Sequence, residues 1–547
     1  MQQSWLRALE VEHDVASIMS RQAKRGVYFN KSKASWYSHV LTERILQIDL
    51  VAVPQMPKMM YPCGAYSRPF LKSGKPNNRL VQLWERLGYF EVSGPFSAIE
   101  FKQFDLGKTA KFKDWMLGQG WIPDQWNIKD VTVGSDGKKL KGSDLNESLN
   151  RYIADLRSSP TGPMRMKIMG IVPGRTTLGE VKRKLERQRK VLTTPKMTEE
   201  SMDTVQGELG SLVMKRMVWS HRRSLLAGLI DQVRPSGRLE ASANPCATPT
   251  GRMRHRVVVN IPAARSLFGP EIRSLFQGTP HAGTWKGQVI TRSLGENERV
   301  RPFTNIVEVF KGGKWKPAGH HKKYIPKDQL VFVGYDGAGL ELRMLAHYVN
   351  DEEYTREIVE GDVHTANQLA AGLPTRDDAK TFIYAFIYGA GDGKLGVIIG
   401  GSSKDGAEIR AKFLAANPKL AALIDETKEA ASAGWLLGID GRKLIMRRSE
   451  DGNVATHKAL NTRLQAAGAI VMKYAMRSLD RKVAEAGLRA WKILDIHDEG
   501  QWECHPEDVK ALTGLMSKCV EEAGIELNMN CPLASDAQIG ASWFDTH

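Results

Sequence analysis

Two stretches far apart in the chain each drive an apolar strand onto an acid, and together they restrict the available folds more than any other feature. The first is LVFVGYDGAGLELRMLAHY, residues 330 to 348. Its apolar run, Leu330 to Val333, reads as a buried strand that reaches Asp336. Two glycines bracket Ala338, and Glu341, Leu342, Arg343 and Leu345 then open a helix. The second is WKILDIHDEGQWEC, residues 491 to 504, which reads as a hairpin with His497, Asp498 and Glu499 at its turn. The plain explanations are an aspartate that caps a helix and an exposed turn, since turns favour Asp and Gly. The apolar flanks argue otherwise, because acids delivered by buried strands are costly unless something positive meets them.

A shared pair of cations would meet that need. Two Mg²⁺ ions about 3.5–4 Å apart can clamp the attacking and leaving oxygens of an in-line phosphoryl displacement. Asp336, Asp498, the carbonyl of Gly337 and substrate phosphates would suffice as ligands. The small residues after Asp336 then let that carbonyl and a triphosphate approach closely. A third stretch fits the same chemistry. In RDDAKTFIYAFIYGAG, residues 376 to 391, Arg376, Lys380, Tyr384 and Tyr388 are spaced by four, and Gly389 ends the helix. Each step of four drifts by only about 40° on a helix, so the side chains form one stripe. Two cations suit a polyphosphate and two phenols suit a sugar and base. An amphipathic helix with a basic edge is the alternative.

The bulk properties agree with a polyanionic partner. The 547 residues carry a formal charge of +17, and nucleic acid fits better than membrane because no basic amphipathic helix with an aromatic face stands out. The five cysteines are scattered, with no Cys-x-x-Cys pair, which argues for a reducing compartment and against a disulfide framework or zinc finger. The N-terminus lacks a signal-type apolar core, and no apolar run approaches a membrane span. A soluble, cytoplasmic protein without a membrane partner is expected.

Along the chain, residues 1 to 50 read as helical with a break at Gly26, and residues 51 to 105, with Pro54, Pro57, Pro62, Pro69 and Pro76 among them, as loop and short strand. Residues 106 to 127 read as one helix ending near Gly118 to Gly120. Residues 128 to 190 hold 15 Lys plus Arg against 7 Asp plus Glu, a net of +8, and end in the basic helix candidate VKRKLERQRK. This is either a solvated linker or a segment that contacts phosphates. Residues 197 to 236 form a long helical pattern, and 281 to 328 a loop or hairpin excursion. From 329 onward strand and helix alternate.

DGAGLELRMLAH, RDDAKTFIYAFIYGAG and HDE, in that order, resemble motifs A, B and C of family A DNA polymerases, most closely the replicative enzymes of short-tailed bacteriophages. TGRMRH (250–255), VNIP (259–262), GDVHTANQLAAGLPTRDDAK (361–380), DGRK (440–443) and ALNTRLQAAGA (459–469) extend the resemblance over most of residues 200 to 547. VEHDVASIMSRQAKRGVYF near the start resembles the opening of the family's thumb. The resemblance implies an α+β right-hand fold. A helical thumb with insertions would occupy 1–235, an antiparallel-sheet palm 236–345 and 456–547, and helical fingers 346–455.

By motif position, the resemblance gives Asp336 and Asp498 the metals, with Gly337, and makes Glu499 an accessory acid. Arg376, Lys380 and His364 would bind the triphosphate. Tyr384 would pack on the deoxyribose, and Tyr388 with Gly389 would sit near the templating base. Glu341 resembles the steric gate against a 2′-hydroxyl. Arg252, Asn461, Gln465 and His497 would contact primer–template DNA. The implied cofactors are two Mg²⁺ ions, with Mn²⁺ as a substitute, and the implied partners are primer–template DNA and deoxynucleoside triphosphates.

The resemblance departs from its family in three places. The closest relatives begin with a 3′–5′ exonuclease domain, whereas this chain begins at the thumb. Glu10 and Glu12 lie on the helical pattern and read as surface charge. No intrinsic proofreading is expected; a separate exonuclease subunit supplies it or the chain is truncated. The stretch near 55 to 103 lies where phage relatives bind the processivity factor thioredoxin, which makes such a factor, or another replisome protein, a candidate partner of the thumb insertions. Segment 128–190 has no motif match and would track duplex phosphates or dock a replication partner. A single-subunit RNA polymerase and a non-enzymatic DNA-binding subunit remain as rival readings.

Overall fold

A computed structural model describes residues 2–546 apart from 135, 206, 282–287, 292, 293, 295, 296, 301–305, 312, 313, 321, 326, 327, 450, 451 and 497. The chain forms two compact units, one of residues 1–36 with 226–547 and the other of residues 37–225.

The first unit is built around a four-stranded antiparallel sheet. Its elements in chain order are α1 (Gln2–Arg25), β1 (Val331–Gly337), α2 (Leu340–Val349), α3 (Arg376–Ile387), α4 (Ala459–Glu485), β2 (Ala490–Ile496), β3 (Glu499–Cys504), α5 (Val509–Glu526) and β4 (Ser535–Gly540). The strands lie in the spatial order β2-β3-β1-β4. Strand side chains alternate between faces, and here both faces are covered. Val331, Val333, Tyr335 and Trp502 enter a core with Val15 of α1, Val471 of α4 and Met516 of α5. The opposite face carries Gln501 and Glu503, both fully buried. Glu503 is satisfied there by Arg25, by Arg238 at 2.9 Å and by the Thr279 N–H at 3.1 Å, as a buried carboxylate must be.

Two glycines make the central strand pair fit. Gly334 lies opposite Gln501 and Gly500 opposite Tyr335. A Cβ at Gly334 would meet Gln501 Nε2 at 2.4 Å, and one at Gly500 would meet the Tyr335 ring at 2.4 Å. Each large side chain occupies the space its partner lacks, so β1 and β3 approach closely at the end that carries the acids.

The second unit holds an antiparallel strand pair (Met59–Tyr66 with Phe96–Lys102) and a core that includes Ile48, Phe112, Met116, Trp121 and Val213.

Several local expectations hold. The first helix stops at Arg25, Gly26 takes φ 70°, and the chain resumes as the strand Val27–Phe29. Leu178–Gln188 is helical, and so is Glu208–Asp231. Described residues of the 281–328 excursion pair as antiparallel ribbons. Other expectations need correction. Residues 51 to 105 contain the helix Asn78–Leu87, capped by the Asn77 side chain on the Leu80 N–H at 2.9 Å; the surrounding prolines hid it. The helix read within 106 to 127 does end where expected, as Thr109–Gly118, and Gly120, at φ 86°, turns the chain before Trp121 packs back into the core. Strand and helix do not alternate from 329 onward, since the regular elements after β1 are all helical until Trp435–Leu437.

Candidate active site

The register of the sheet brings the acids together. Asp336 is the exposed residue near the end of β1, between buried Tyr335 and buried Gly337. It lies opposite Glu499 on one neighbouring strand and opposite Asp536 on the other. Ile496 of β2 pairs with Glu499 of β3, so Asp498 lies at the tight connection that leads into β3. The Gly337 N–H donates to the Asp498 carbonyl at 3.2 Å. Strand end and turn are therefore bonded to each other directly. Like charges placed in register on a sheet repel unless compensated.

The capping explanation for Asp336 fails on geometry. Helix α2 starts at Leu340, its N-cap is Gly339 at φ 57°, and no side chain caps it. Arg343 instead ties the turn down, with Nε on the Ala338 carbonyl at 2.8 Å.

Glu499 faces inward. It is buried, and its Oε1 accepts from Trp543 Nε1 and Gln501 Nε2. Among the described residues no group of three or more His, Cys, Asp or Glu side chains is set to hold a metal ion. A cation between Asp336 and Asp498 would complete its shell with main-chain, substrate and water oxygens, a set that suits Mg²⁺.

Helix α3 buries Ala379, Phe382, Ile383 and Phe386, which aims its other face outward. Arg376 and Lys380 are exposed there, Tyr384 is half-buried and Tyr388 is exposed. Thr375 caps the helix by accepting from the Asp378 N–H at 3.1 Å, and the chain leaves through Gly389 at φ 76°. Burial, then Glu341 and Asp498, push the Tyr384 phenol above its ordinary pKa, so this ring lies within the field of both acids.

Arg376 makes a two-pronged pair with Asp362, Nε to Oδ2 at 2.7 Å and Nη2 to Oδ1 at 3.0 Å. Asp362 also accepts from the His364 N–H at 3.2 Å and from Thr365 Oγ1 at 2.8 Å. The Arg376 and Thr365 bonds hold its carboxyl well below the usual carboxylate range. His364 has its ring 6.2 Å from that of Tyr384. Burial, Arg376 and Lys380 lower its pKa, against the opposing pull of Asp362.

Tyr388 Oη donates to Glu341 Oε1 at 2.8 Å, and Arg252 Nη2 lies 3.5 Å from the same oxygen. Burial and the bond to Glu341 push the Tyr388 phenol up to about 12 despite Arg252. Arg252 in turn lines a small cavity with Asp498, Leu340 and Lys473. Gly389 and Asn461 line another with Phe386, Arg410 and His457. Asn461 and Gln465 stand one turn apart on α4, and Asn461 Oδ1 is buried without a hydrogen-bond partner. His497 lies outside the described residues.

The structure adds groups the sequence reading missed. Asp362 is one, and its Asp-x-His capping pattern was a legible signal. A larger one is the ion cluster around Glu12, which corrects the reading of that residue as surface charge. Glu12 accepts from Lys473 Nζ at 2.7 and 2.8 Å and from Arg442. Arg442 also pairs with Asp440 at 2.6 Å. Lys473 is 1% exposed. The cluster lies against the loop that carries Arg252, since a Cβ at Gly251 would stand 3.9 Å from Lys473 Nζ.

Comparison with known proteins places this geometry. The sequence pattern of DNA polymerase family A matches residues 317–545. The DNA-directed DNA polymerase of Escherichia phage Phieco32 is 41% identical, over 98% of this chain and 98% of its own. The DNA-directed DNA polymerase of Enterobacteria phage T3 is 34% identical, over 99% of this chain and 70% of its own, and that of Escherichia phage T7 is 29% identical over the same shares. The solved POL domain of Pol1 from M. smegmatis, in complex with DNA primer-template and dNTP, matches with a TM-score of 0.57 at 15% identity, over 98% of this chain and 70% of its own, which shows a shared fold. The chain therefore belongs to DNA polymerase family A and is a DNA-directed DNA polymerase.

Proposed function

We propose that this enzyme extends a primer 3′-hydroxyl on a DNA template with deoxynucleoside triphosphates, using two divalent ions between Asp336 and Asp498. The observation that carries the reading is the main-chain bond from Gly337 to Asp498 at 3.2 Å, which holds the two acid-bearing segments side by side. Two Mg²⁺ ions held by these aspartates and the Gly337 carbonyl, with Mn²⁺ as a substitute, would activate the 3′-hydroxyl and neutralise phosphate charge.

The remaining residues position the substrates. Arg376 and Lys380 receive the triphosphate, and neutral His364 stands beside them. Tyr384 packs on the deoxyribose. Glu341, held by Tyr388 and Arg252, blocks a 2′-hydroxyl, which disfavours the RNA polymerase reading. Tyr388 and Gly389 border the templating base, and Arg252, Asn461, Gln465 and His497 contact primer–template DNA. Glu499 acts by fixing the strand next to Asp498. Catalysis is then mainly positioning and charge stabilisation.

In this assignment residues 1–235 are the thumb, 346–455 the fingers and the flanking segments the palm. The Glu12 carboxylate is committed to Lys473 and Arg442, which supports reading it as structural; this chain is proposed to have no 3′–5′ exonuclease of its own. A separate exonuclease subunit and a processivity factor or other replisome protein are proposed partners, and the host cytoplasm is the proposed place of action. Primer extension tests the reading, with matched and mismatched 3′ ends and with Asp498→Ala. Extension of the matched primer by the intact protein, its loss in the variant and no trimming of the mismatch are expected. Extension by Asp498→Ala at the intact rate would overturn the mechanism, and trimming would overturn the exonuclease assignment.

A further inference from the structure

Between the paired strands Trp126–Asp130 and Lys190–Pro195 the chain builds a closed module of three helices, Gly142–Ser158, Gly162–Ile168 and Leu178–Gln188. Every buried member of its core, including Leu149, Ile153, Leu156, Val181 and Leu185, comes from residues 131–191. Polar bonds close it. Tyr152 Oη donates to the Leu192 carbonyl at 2.6 Å, and Arg165, 1% exposed, donates to Asp155 at 2.8 Å. A capping box of Thr177 and Glu180 starts the last helix. A basic linker would need none of this.

The charge of the module is one-sided. Residues 129–164 hold six Lys plus Arg and five Asp plus Glu, whereas residues 165–190 hold nine and two. The first helix balances its outer face, as in the Arg151–Glu147 pair at 2.6 Å. The last helix does not. Val181 and Leu185 turn inward, Arg183 and Arg187 are exposed on the outer side, and Lys190, which begins the strand that follows, is exposed as well. Of its two acids, Glu180 is committed to the capping box. Lys167 and Arg175, also exposed, precede the same helix.

We propose that this module is a second duplex-DNA-binding element, with the outer face of helix Leu178–Gln188 set against the phosphate backbone. The proposal rests on the polymerase reading only for the choice of duplex DNA as the polyanion. A folded core fixes the cations in place, so they neutralise phosphates at little ordering cost. Ile168, Val172 and Leu178, exposed at 56%, 50% and 48% nearby, would instead anchor a protein partner if the charge were incidental.

The test measures binding of the full-length chain to blunt duplex DNA across a salt series, together with single-nucleotide incorporation at saturating primer–template. The variants are R183Q/R187Q/K190Q, the first-helix control R151Q/R157Q, and I168S/L178S. Each lost phosphate contact removes roughly 0.9 from the log–log salt slope. The triple variant is expected to lower that slope by about 2–3, with incorporation at saturating DNA unchanged and the control and apolar variants like wild type. An unchanged slope in the triple variant, an equal loss in the control, or a loss confined to I168S/L178S would overturn the proposal. Absence of incorporation by wild type, with the salt-slope difference intact, would count against the polymerase reading alone.

Discussion

The Gly337 N–H and the Asp498 carbonyl are hydrogen-bonded at 3.2 Å, although their strands are separated in sequence by every helix from α2 to α4. The bond sits where β1 ends and β3 begins, so anything that shifts one strand against the other separates the acids. Gly500→Ala does this, because the new Cβ would fall 2.4 Å from the Tyr335 ring. A cost of about 1–3 kcal/mol is expected from overpacking, with a larger proportional loss of primer extension than of stability. Denaturant unfolding and extension rates check it; wild-type values for both would count against the fit described.

Tyr388 and Glu341 form the second relationship, a 2.8 Å hydrogen bond that holds the residue proposed as the sugar gate. Glu341→Ala is expected to raise ribonucleotide incorporation relative to deoxyribonucleotide incorporation by about tenfold or more, the scale of one or two kcal/mol. Competition between paired dNTP and rNTP substrates measures it, and an unchanged ratio would remove Glu341 from the gate. The Tyr388 pKa near 12 sets a pH window. The folded value lies above the unfolded value of about 10, so this contribution to stability is complete below pH 10 and disappears between about 10 and 12.

The resemblance to family A polymerases implies that a tyrosine at position 384, proposed to pack on the deoxyribose, goes with acceptance of dideoxynucleotides. The wild-type enzyme is expected to accept these terminators. Tyr384→Phe is expected to discriminate against them by at least about tenfold, as for loss of one hydrogen bond to a charged group. Chain-termination ladders decide it, and equal discrimination in both enzymes refutes it.

Glu12 anchors α1 to α4 through Lys473. Burial alone would raise its pKa, but Lys473, Arg442 and Cys246 outweigh that, and the net value is lowered. The stability it supplies is therefore complete above the unfolded pKa of about 4.3 and is lost as pH falls through the folded value. Glu12→Gln leaves Lys473 buried with its charge uncompensated, at a cost of about 3–5 kcal/mol. Thermal unfolding at pH 7 measures this; a change within about 0.5 kcal/mol, as at an ordinary surface site, would mean the cluster is not coupled to folding.

What the sequence disclosed follows from the range over which each feature is encoded. The strand that bears Asp336, the hairpin that bears Asp498 and the stripe from Arg376 to Tyr388 are each written within about a dozen residues, in the period of a strand or helix. Asn77 to Leu87 was hidden because its prolines flank the helix and do not enter it. Glu12, Lys473 and Arg442 could not be grouped, because nothing local to any one of them encodes the other two. The module at 131–191 showed its charge but not its fold, since its core residues are too evenly spread to mark a boundary.

The most direct test of the account is the anomalous scattering of Mn²⁺ in a crystal of the full-length enzyme with primer–template DNA and an incoming nucleotide. The account predicts two peaks in contact with the carboxylates of both Asp336 and Asp498, neither of which forms in Asp498→Ala. Peaks that touch only one of these residues, or none, would contradict it.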